Sequence, residues 1–389
     1  MLIGRQAIVV GAGIGGLAAA LALAQRGASV TVLEQAGEIA EVGAGLQISP
    51  NGTAVLEALG LGPLLPKIGM PLSLLRMRDF ARAGDVLRMD VAGAKYRHPW
   101  LLAHRADLIA VLQEAAESSG VRIETGARVA GLIEDGRAGV ELEDGRVLRA
   151  GVVIAADGVR SRIRPVIDPA PEPGFRRQVA WRVLVPGSPG AAAEVQLVLG
   201  PGRHLVRYPL RGGMLVNIVA VEERDAWAED GWSHEDDPAE LRAAFSGFPP
   251  EITAELERAE TAHLWGLFRR PVAQRWTRGR AALLGDAAHA TLPFMAQGAV
   301  MALEDAWVLG ESLAGSDGVE AGLALYEARR KARCRRTVAA ADRNALAYHL
   351  SVPGVRRLAH LGLGLGERLK PGLALSQFDW LYRHDVTRD

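Results

Sequence analysis

Residues 7–16 read Ala7-Ile8-Val9-Val10-Gly11-Ala12-Gly13-Ile14-Gly15-Gly16, and this stretch decides the fold. Four apolar residues in succession predict a buried strand over 7–10. The glycines follow at once in the spacing G-x-G-x-x-G, through Gly11, Gly13 and Gly16. An Ala/Leu-rich run to Arg26 predicts a helix, Gly27 stops it, and a second strand is expected over Ser29–Leu33. Each glycine has a reason: Gly11 permits the tight turn, Gly13 lets the backbone approach a pyrophosphate, and Gly16 lets helix and strand pack closely. The helix N-terminus offers N–H groups and partial positive charge to phosphates. Glu34 lies 23 residues after Gly11, where its carboxylate can accept hydrogen bonds from both ribose hydroxyls and would repel a 2′-phosphate. The segment predicts a βαβ unit that binds a dinucleotide, and alone it does not separate FAD from NAD.

Working outward, a second βα unit starts at Leu101, with a helix over 107–119, a stop at Gly120 and a strand over 121–124. Three short strands follow, turned at Asp135-Gly136 and Asp144-Gly145, dipeptides that favour tight hairpins. The apolar run 152–155 then re-enters the parallel sheet. Strand-like segments at 179–185, 195–199, 204–210 and 214–221 predict an inserted antiparallel sheet. The β/α character returns at 281–284, before Gly285-Asp286 and a long helix over 299–313. The expected fold is α/β: a Rossmann-like domain from 1–70, 101–174 and 275–350, an antiparallel-sheet substrate domain from 71–100 and 175–274, and a helical tail over 351–389.

The 389 residues suffice for two cores. Lys+Arg and Asp+Glu number 45 each, so the formal charge is zero and a dedicated nucleic-acid binder is not expected. A single cysteine, Cys334, allows no intrachain disulfide and no Cys-based zinc site, and no metal is expected. No run of 18 or more apolar residues suggests a transmembrane segment. The apolar run 8–10 is too short for a signal peptide. The expectation is a cytoplasmic protein, monomeric or homodimeric.

Two later motifs narrow the dinucleotide. Asp157-Gly158 and Arg164 follow the strand at 152–155. Leu284-Gly285-Asp286-Ala287-Ala288-His289 and Pro293-Phe294-Met295-Ala296-Gln297-Gly298-Ala299 lead into the long helix. With the glycine loop, these resemble the group A flavoprotein monooxygenases, the single-chain FAD aromatic hydroxylases, in the branch of salicylate hydroxylase, 3-hydroxybenzoate 6-hydroxylase and 6-hydroxynicotinate 3-monooxygenase. The likeness runs from Ile8 to the helix holding Tyr326 and Arg329. It implies a glutathione-reductase-type domain that binds FAD non-covalently. Gly11, Gly13, Gly16 and Glu34 would hold the ADP half, while Asp157, Gly158 and Asp286 support the rest. Arg105 matches a family arginine near FAD. Amides at Gly298 and Ala299 would stabilise negative charge on the reduced flavin. It further implies NADH or NADPH as reductant, O₂ as co-substrate and a flavin C4a-hydroperoxide that hydroxylates a small phenolic or heteroaromatic acid. A flavin reductase without oxygen insertion and a non-catalytic flavoprotein are the competing readings.

A phenolate accepts oxygen faster than a phenol, so a base beside the ring hydroxyl helps, and histidine suits the task. Among nine histidines, His204 stands out because His204 and Tyr208 share one face of a strand. The resemblance places this pair in the substrate pocket. Gln47, Pro293 and Phe294 are the expected pocket wall. The hydroxynicotinate branch has histidines at the positions of Gln47 and Phe294, and this departure counts against that substrate. Arg182 and Arg207 are candidates for a substrate carboxylate; Arg207 alternates off the His204 face and is expected at the surface, and no carboxylate clamp is assigned. His98, His234, His263, His349, His360 and His384 are expected to be solvated or capping, and His289 structural. The tail beyond Ser351 is expected to pack on the protein's own core.

Overall fold

The computed structural model describes residues 1–39, 44–82, 84–134, 138–169, 171–225 and 233–389. The Asp135-Gly136 turn lies outside the described residues. The strand Gln6–Val10 is buried from Ala7 onward. Apolar on both faces, it takes a central place in a sheet that is parallel except for its edge strand Thr277–Arg278, paired with Ser29–Leu33 on one side and Val152–Ala155 on the other. The six-stranded sheet runs Thr277–Arg278, Ala281–Leu283, Val152–Ala155, Gln6–Val10, Ser29–Leu33, Arg122–Glu124. Helix Ile14–Ala24 is almost wholly buried, because helix Gly298–Gly315 packs on it from outside the sheet. Helix Arg105–Ser118 starts two residues before its expected beginning.

An eight-stranded sheet forms the second layer, in the order Ser233–Asp236, Ala262–Arg269, Gly174–Pro186, Leu215–Glu223, Arg203–Leu210, Glu194–Gly200, Leu74–Asp79, Asp85–Asp90. Leu74–Asp79 joins Glu194–Gly200 in parallel, and the other pairings are antiparallel. The period of two along these strands divides the sheet's faces. Val179, Trp181, Val183, Leu205, Ile218 and Ala220 pack against Phe245, Ile252 and Leu256 of the helical segment that follows. Arg182, His204, Val206, Tyr208, Val219 and Val221 face the opposite way, into a cavity against the first layer.

Helix Val319–Tyr348 buries a charged cluster at its centre. Arg330 Nε donates to Asp305 Oδ1 at 2.7 Å and its Nη2 meets Glu304 at 2.7 Å. Arg333 reaches Glu304 at 2.8 Å, and His289 Nε2 meets Asp305 Oδ2 at 2.5 Å. The donors His289, Asp305 and Cys334 lie within 4.8 Å of one another, but both Asp305 oxygens already serve His289 and Arg330. His289 is thus an internal structural group.

Beyond Ser351, Leu375, Leu381, Tyr382 and Val386 are buried in the core as expected, whereas helix Pro353–Leu369 departs from that expectation. Val355, Leu358, Leu361, Leu365 and Leu369 are exposed, not buried on the core. The helix is held from its other side, where Arg356 and His360 each reach Asp79 at 3.1 Å. His360 is accordingly buried, against the expectation of solvation. Among the described residues, no helix is long and apolar enough to cross a membrane.

Candidate functional site

The glycine loop is built as tightly as its spacing implies. Gly11 has φ +100°, and a Cβ there would lie 2.5 Å from Ala156 O. A Cβ on Gly16 would sit 1.9 Å from Gly11 O. Both positions exclude any side chain. Gly13 differs: its Cβ would meet nothing within 4 Å, and the residue borders the cavity. The loop therefore presents bare backbone to open space at the N-terminus of helix Ile14–Ala24, a ready anion site. Glu34 is fixed at its edge, with Oε2 accepting from Ala12 N at 2.8 Å and Oε1 from Ala36 N at 2.9 Å. Each oxygen keeps a second lone pair for a ribose hydroxyl.

Asp157 turns back into its own loop, accepting from Arg162 N at 2.9 Å. Burial pushes its carboxyl above the usual range, offset by hydrogen bonds from Ser161 and backbone amides. Its Oδ1 is buried and has no hydrogen-bond partner. Gly158, Arg105, Asp286, Gly298 and Ala299 border the cavity, whereas Gly11, Gly16, Glu34 and Asp157 stand behind it. Gly285 has φ +62°, the left-handed conformation that sets Asp286 at the start of a short helix. Helix Gly298–Gly315 begins one residue before its expected start. Gln297 just ahead of it is buried and donates to Ser49 Oγ at 2.9 Å. The side-chain-free loop, the open space before it and two helix N-termini fit a dinucleotide carrying a flavin.

The cavity measures about 420 Å³, within the range of small-molecule sites. It runs from Gly13 to the eight-stranded sheet, bringing Gln47, Pro293, Phe294, His204 and Tyr208 to one space. Apolar side chains such as Leu75, Met77, Trp100, Val195, Leu197 and Val206 form much of its wall, as an aromatic ring requires. His204 is buried, with its ring centroid 5.2 Å from Phe294 and 5.4 Å from Tyr348. Desolvation holds its pKa well below the ordinary histidine range, with the neighbouring His349 adding to the effect. Burial likewise raises Tyr208 well above the usual phenol range. Arg182 borders the cavity and stacks on the Trp265 ring at 4.8 Å. Arg207 points away and is bound by Glu255 at 2.6 and 2.5 Å.

One histidine expectation is overturned at the site itself. His349 is buried, its Nε2 lying 2.7 Å from His204 Nδ1 and its Nδ1 3.0 Å from Glu223 Oε1. Sequence reasoning also missed Asn344, Tyr348, Phe378 and Tyr382, which line the cavity from the C-terminal helices. The pair Tyr348-His349 at the end of a long helix was the available signal.

The fold and this cavity define a flavin-binding oxidoreductase, and comparison with known proteins agrees. Residues 5–341 match the family described as FAD binding domain. The chain is 34% identical to 3-hydroxybenzoate 6-hydroxylase of Polaromonas naphthalenivorans over 394 residues, covering 97% of this chain and 96% of that one. It is 34% identical to 3-amino-4-hydroxybenzoate 2-monooxygenase PtmB3 of Streptomyces platensis, covering 96% of this chain and 94% of that protein. Among solved structures, Klebsiella pneumoniae HpxO complexed with FAD and uric acid superposes with a TM-score of 0.85 at 29% identity, covering 95% of each chain. The chain belongs to the FAD-dependent aromatic monooxygenases, whose cofactor is FAD and whose reductant is NADH or NADPH.

Proposed function

We propose that this monooxygenase hydroxylates a small phenolic acid of the hydroxybenzoate class, and that His204 removes the proton from the ring hydroxyl. One observation carries the reading. His204 uses Nδ1 on His349, while its ring borders the cavity beside Tyr208. That leaves Nε2 as the atom able to accept a proton from a bound ring. A relative acting on 3-hydroxybenzoate supports the substrate class, as do Gln47 and Phe294 where the hydroxynicotinate branch carries histidines.

In this reading the bare backbone at Gly13 would receive the pyrophosphate of FAD, Gly11 and Gly16 would shape the turn behind it, and Glu34 would hold the ribose. Arg105, Asp157, Gly158 and Asp286 would support the remainder, and the amides at Gly298 and Ala299 would stabilise negative charge on the reduced flavin. FAD held by these residues would supply the redox and oxygen-transfer chemistry, with NADH or NADPH as reductant. The chain's own task is to orient the ring, exclude water and hold its proton. Phe294, Pro293 and Gln47 close one side, Tyr208 positions the hydroxyl next to His204, and Arg182 attracts the carboxylate. The domain division at 71–100 and 175–274 belongs to this reading, with the eight-stranded sheet forming the substrate half. So does a cytoplasmic monomer or homodimer.

The test compares NADH and NADPH oxidation with 3-hydroxybenzoate, 4-hydroxybenzoate, salicylate and phenol, for the wild type and Arg182→Met. A carboxylated substrate should lose about 10- to 100-fold in kcat/KM on Arg182→Met, the worth of one charge-assisted hydrogen bond, while phenol should be unaffected. Equal loss for phenol would refute the carboxylate role.

A further inference from the structure

We propose that His204, His349 and Glu223 form a proton path from the ring cavity to solvent, in which His349 fixes the tautomer of His204 and passes its proton on. This rests on the reading of His204 as the base. The path joins side chains from three separate elements. His204 lies on the strand Arg203–Leu210, Glu223 ends the strand Leu215–Glu223, and His349 caps the helix Val319–Tyr348. His204 Nδ1 is 2.7 Å from His349 Nε2, and His349 Nδ1 is 3.0 Å from Glu223 Oε1. Exposure rises at the outer end: the His349 side chain is 2% exposed and that of Glu223 55%. One end meets the cavity and the other meets water.

The hydrogen bonds dictate a direction. A carboxylate only accepts, so His349 Nδ1–H donates to Glu223. His349 Nε2 is then a lone pair that only accepts, so His204 Nδ1–H must donate to it. His204 Nε2 is left as a lone pair on the ring that borders the cavity, which is the state a base requires. Gln178 competes for this arrangement, because its side-chain amide lies 3.2 Å from His349 Nδ1. With Nδ1 protonated, Gln178 offers its amide oxygen there, an orientation chosen by the network. The titratable groups set against His349 are His204, Glu223 and the adjoining Tyr348; the Phe294 ring packs beside both imidazoles.

The path answers a physical difficulty. A fully buried imidazole is costly to charge, so a lone His204 would be a poor proton acceptor. Here a proton arriving at Nε2 is matched by one leaving Nδ1 to His349 Nε2, and by another leaving His349 Nδ1 to Glu223 Oε1. Glu223 then releases it to water. Both imidazoles end neutral in their alternative tautomers, and the reverse transfer reprotonates the product oxygen. Glu223 and His349 are positioning residues, since neither touches the substrate.

The test uses ¹⁵N-histidine-labelled holoenzyme and long-range ¹⁵N–¹H correlation to read both tautomers. The wild type should show Nδ1–H on His204 and His349. In Glu223→Ala, the Gln178 amide can donate to His349 Nδ1, so both tautomers should invert and protonate His204 Nε2. Glu223→Asp should restore them. With 3-hydroxybenzoate as probe, Glu223→Ala and His349→Gln should lose about 10²-fold in kcat, the scale of general-base catalysis. KM and FAD content should stay near wild type, and the loss should shrink as pH rises and the substrate arrives as phenolate. Unchanged tautomers in Glu223→Ala, or a loss equal at every pH, would overturn the path. His204→Asn separates the two readings. If it keeps full hydroxylation, the base assignment itself fails. If it alone is impaired while both outer variants keep the wild-type rate and pH profile, the base stands and the path fails. Should the probe not turn over, the tautomers decide the matter alone.

Discussion

Adding one methyl group at Gly13 and at Gly16 should produce two different defects. A Cβ on Gly16 would lie 1.9 Å from Gly11 O. That is about 1.1 Å inside the 3.0 Å below which real Cβ contacts essentially never occur. The obstacle is backbone within the turn itself, so the helix and strand must separate. Overpacking of this kind costs roughly 1–3 kcal/mol, occasionally more, and Gly16→Ala should lower stability and flavin content together. Gly13 has φ −71° and ψ 179°, a conformation alanine adopts freely, and its Cβ meets no protein atom within 4 Å. Gly13→Ala should therefore cost the apoprotein under about 1 kcal/mol, as for other N-cap changes among small residues. The new methyl projects into the space assigned to the pyrophosphate. Displacing one phosphate hydrogen bond costs roughly 1.5–3 kcal/mol, or about 10- to 100-fold in the FAD dissociation constant. Apoprotein melting and flavin titration by fluorescence measure the two quantities separately. A Gly13→Ala protein that binds FAD as tightly as the wild type would refute the placement of the dinucleotide at this loop.

Three further outcomes are expected. Arg330→Met should destabilise by roughly 3 kcal/mol, because the buried Glu304 and Asp305 lose the cation between them and keep only Arg333 and His289; urea unfolding measures it, and a change below about 1 kcal/mol contradicts the cluster's role. Burial lowers the pKa of His204, His349 and His360 in the folded state, outnumbering His289, whose raised pKa acts in the opposite sense, so on balance the unfolded chain takes up more protons once pH falls below about 6.5. Stability should thus decline on acidification from pH 7 to 5, and His204→Asn should flatten the slope in thermal melts; a melting temperature that rises over that interval has the opposite sign. Gly285→Ala must force a side chain into φ +62° and against the Ala302 methyl at 3.2 Å. It should reduce FAD content more than it disturbs far-UV circular dichroism, and full flavin retention would count against the Asp286 loop as a cofactor contact.

The cofactor half was legible because its chemistry is local. Gly11, Gly13 and Gly16 lie within one turn; the backbone displays the steric reason for Gly11 and Gly16, while Gly13 borders open space. His204 and Tyr208 could be paired because period two places them on one face of one strand. The outer part of the site was hidden because it depends on contacts between distant segments. His349 follows a 30-residue helix, at a helix end that reads as exposed, and only docking on the sheet buries it against His204 and Glu223. His360 was misread for the same reason, since Asp79 lies far away in the chain. The exposed leucines of Pro353–Leu369 had helical spacing that signals burial, but that spacing does not say which side of the helix meets the core. Here Arg356 and His360 supply the attachment and Leu358, Leu361 and Leu365 face outward.

The most direct test of the central claim is hydroxylation under ¹⁸O₂. The purified flavoprotein would be given NADH or NADPH with hydroxybenzoates, following nucleotide oxidation and product mass together. The account predicts a compound that accelerates nucleotide oxidation and gains one ¹⁸O atom per nucleotide consumed, with the gain lost in His204→Asn. Nucleotide oxidation that yields only hydrogen peroxide, with every compound returned unchanged, would contradict it.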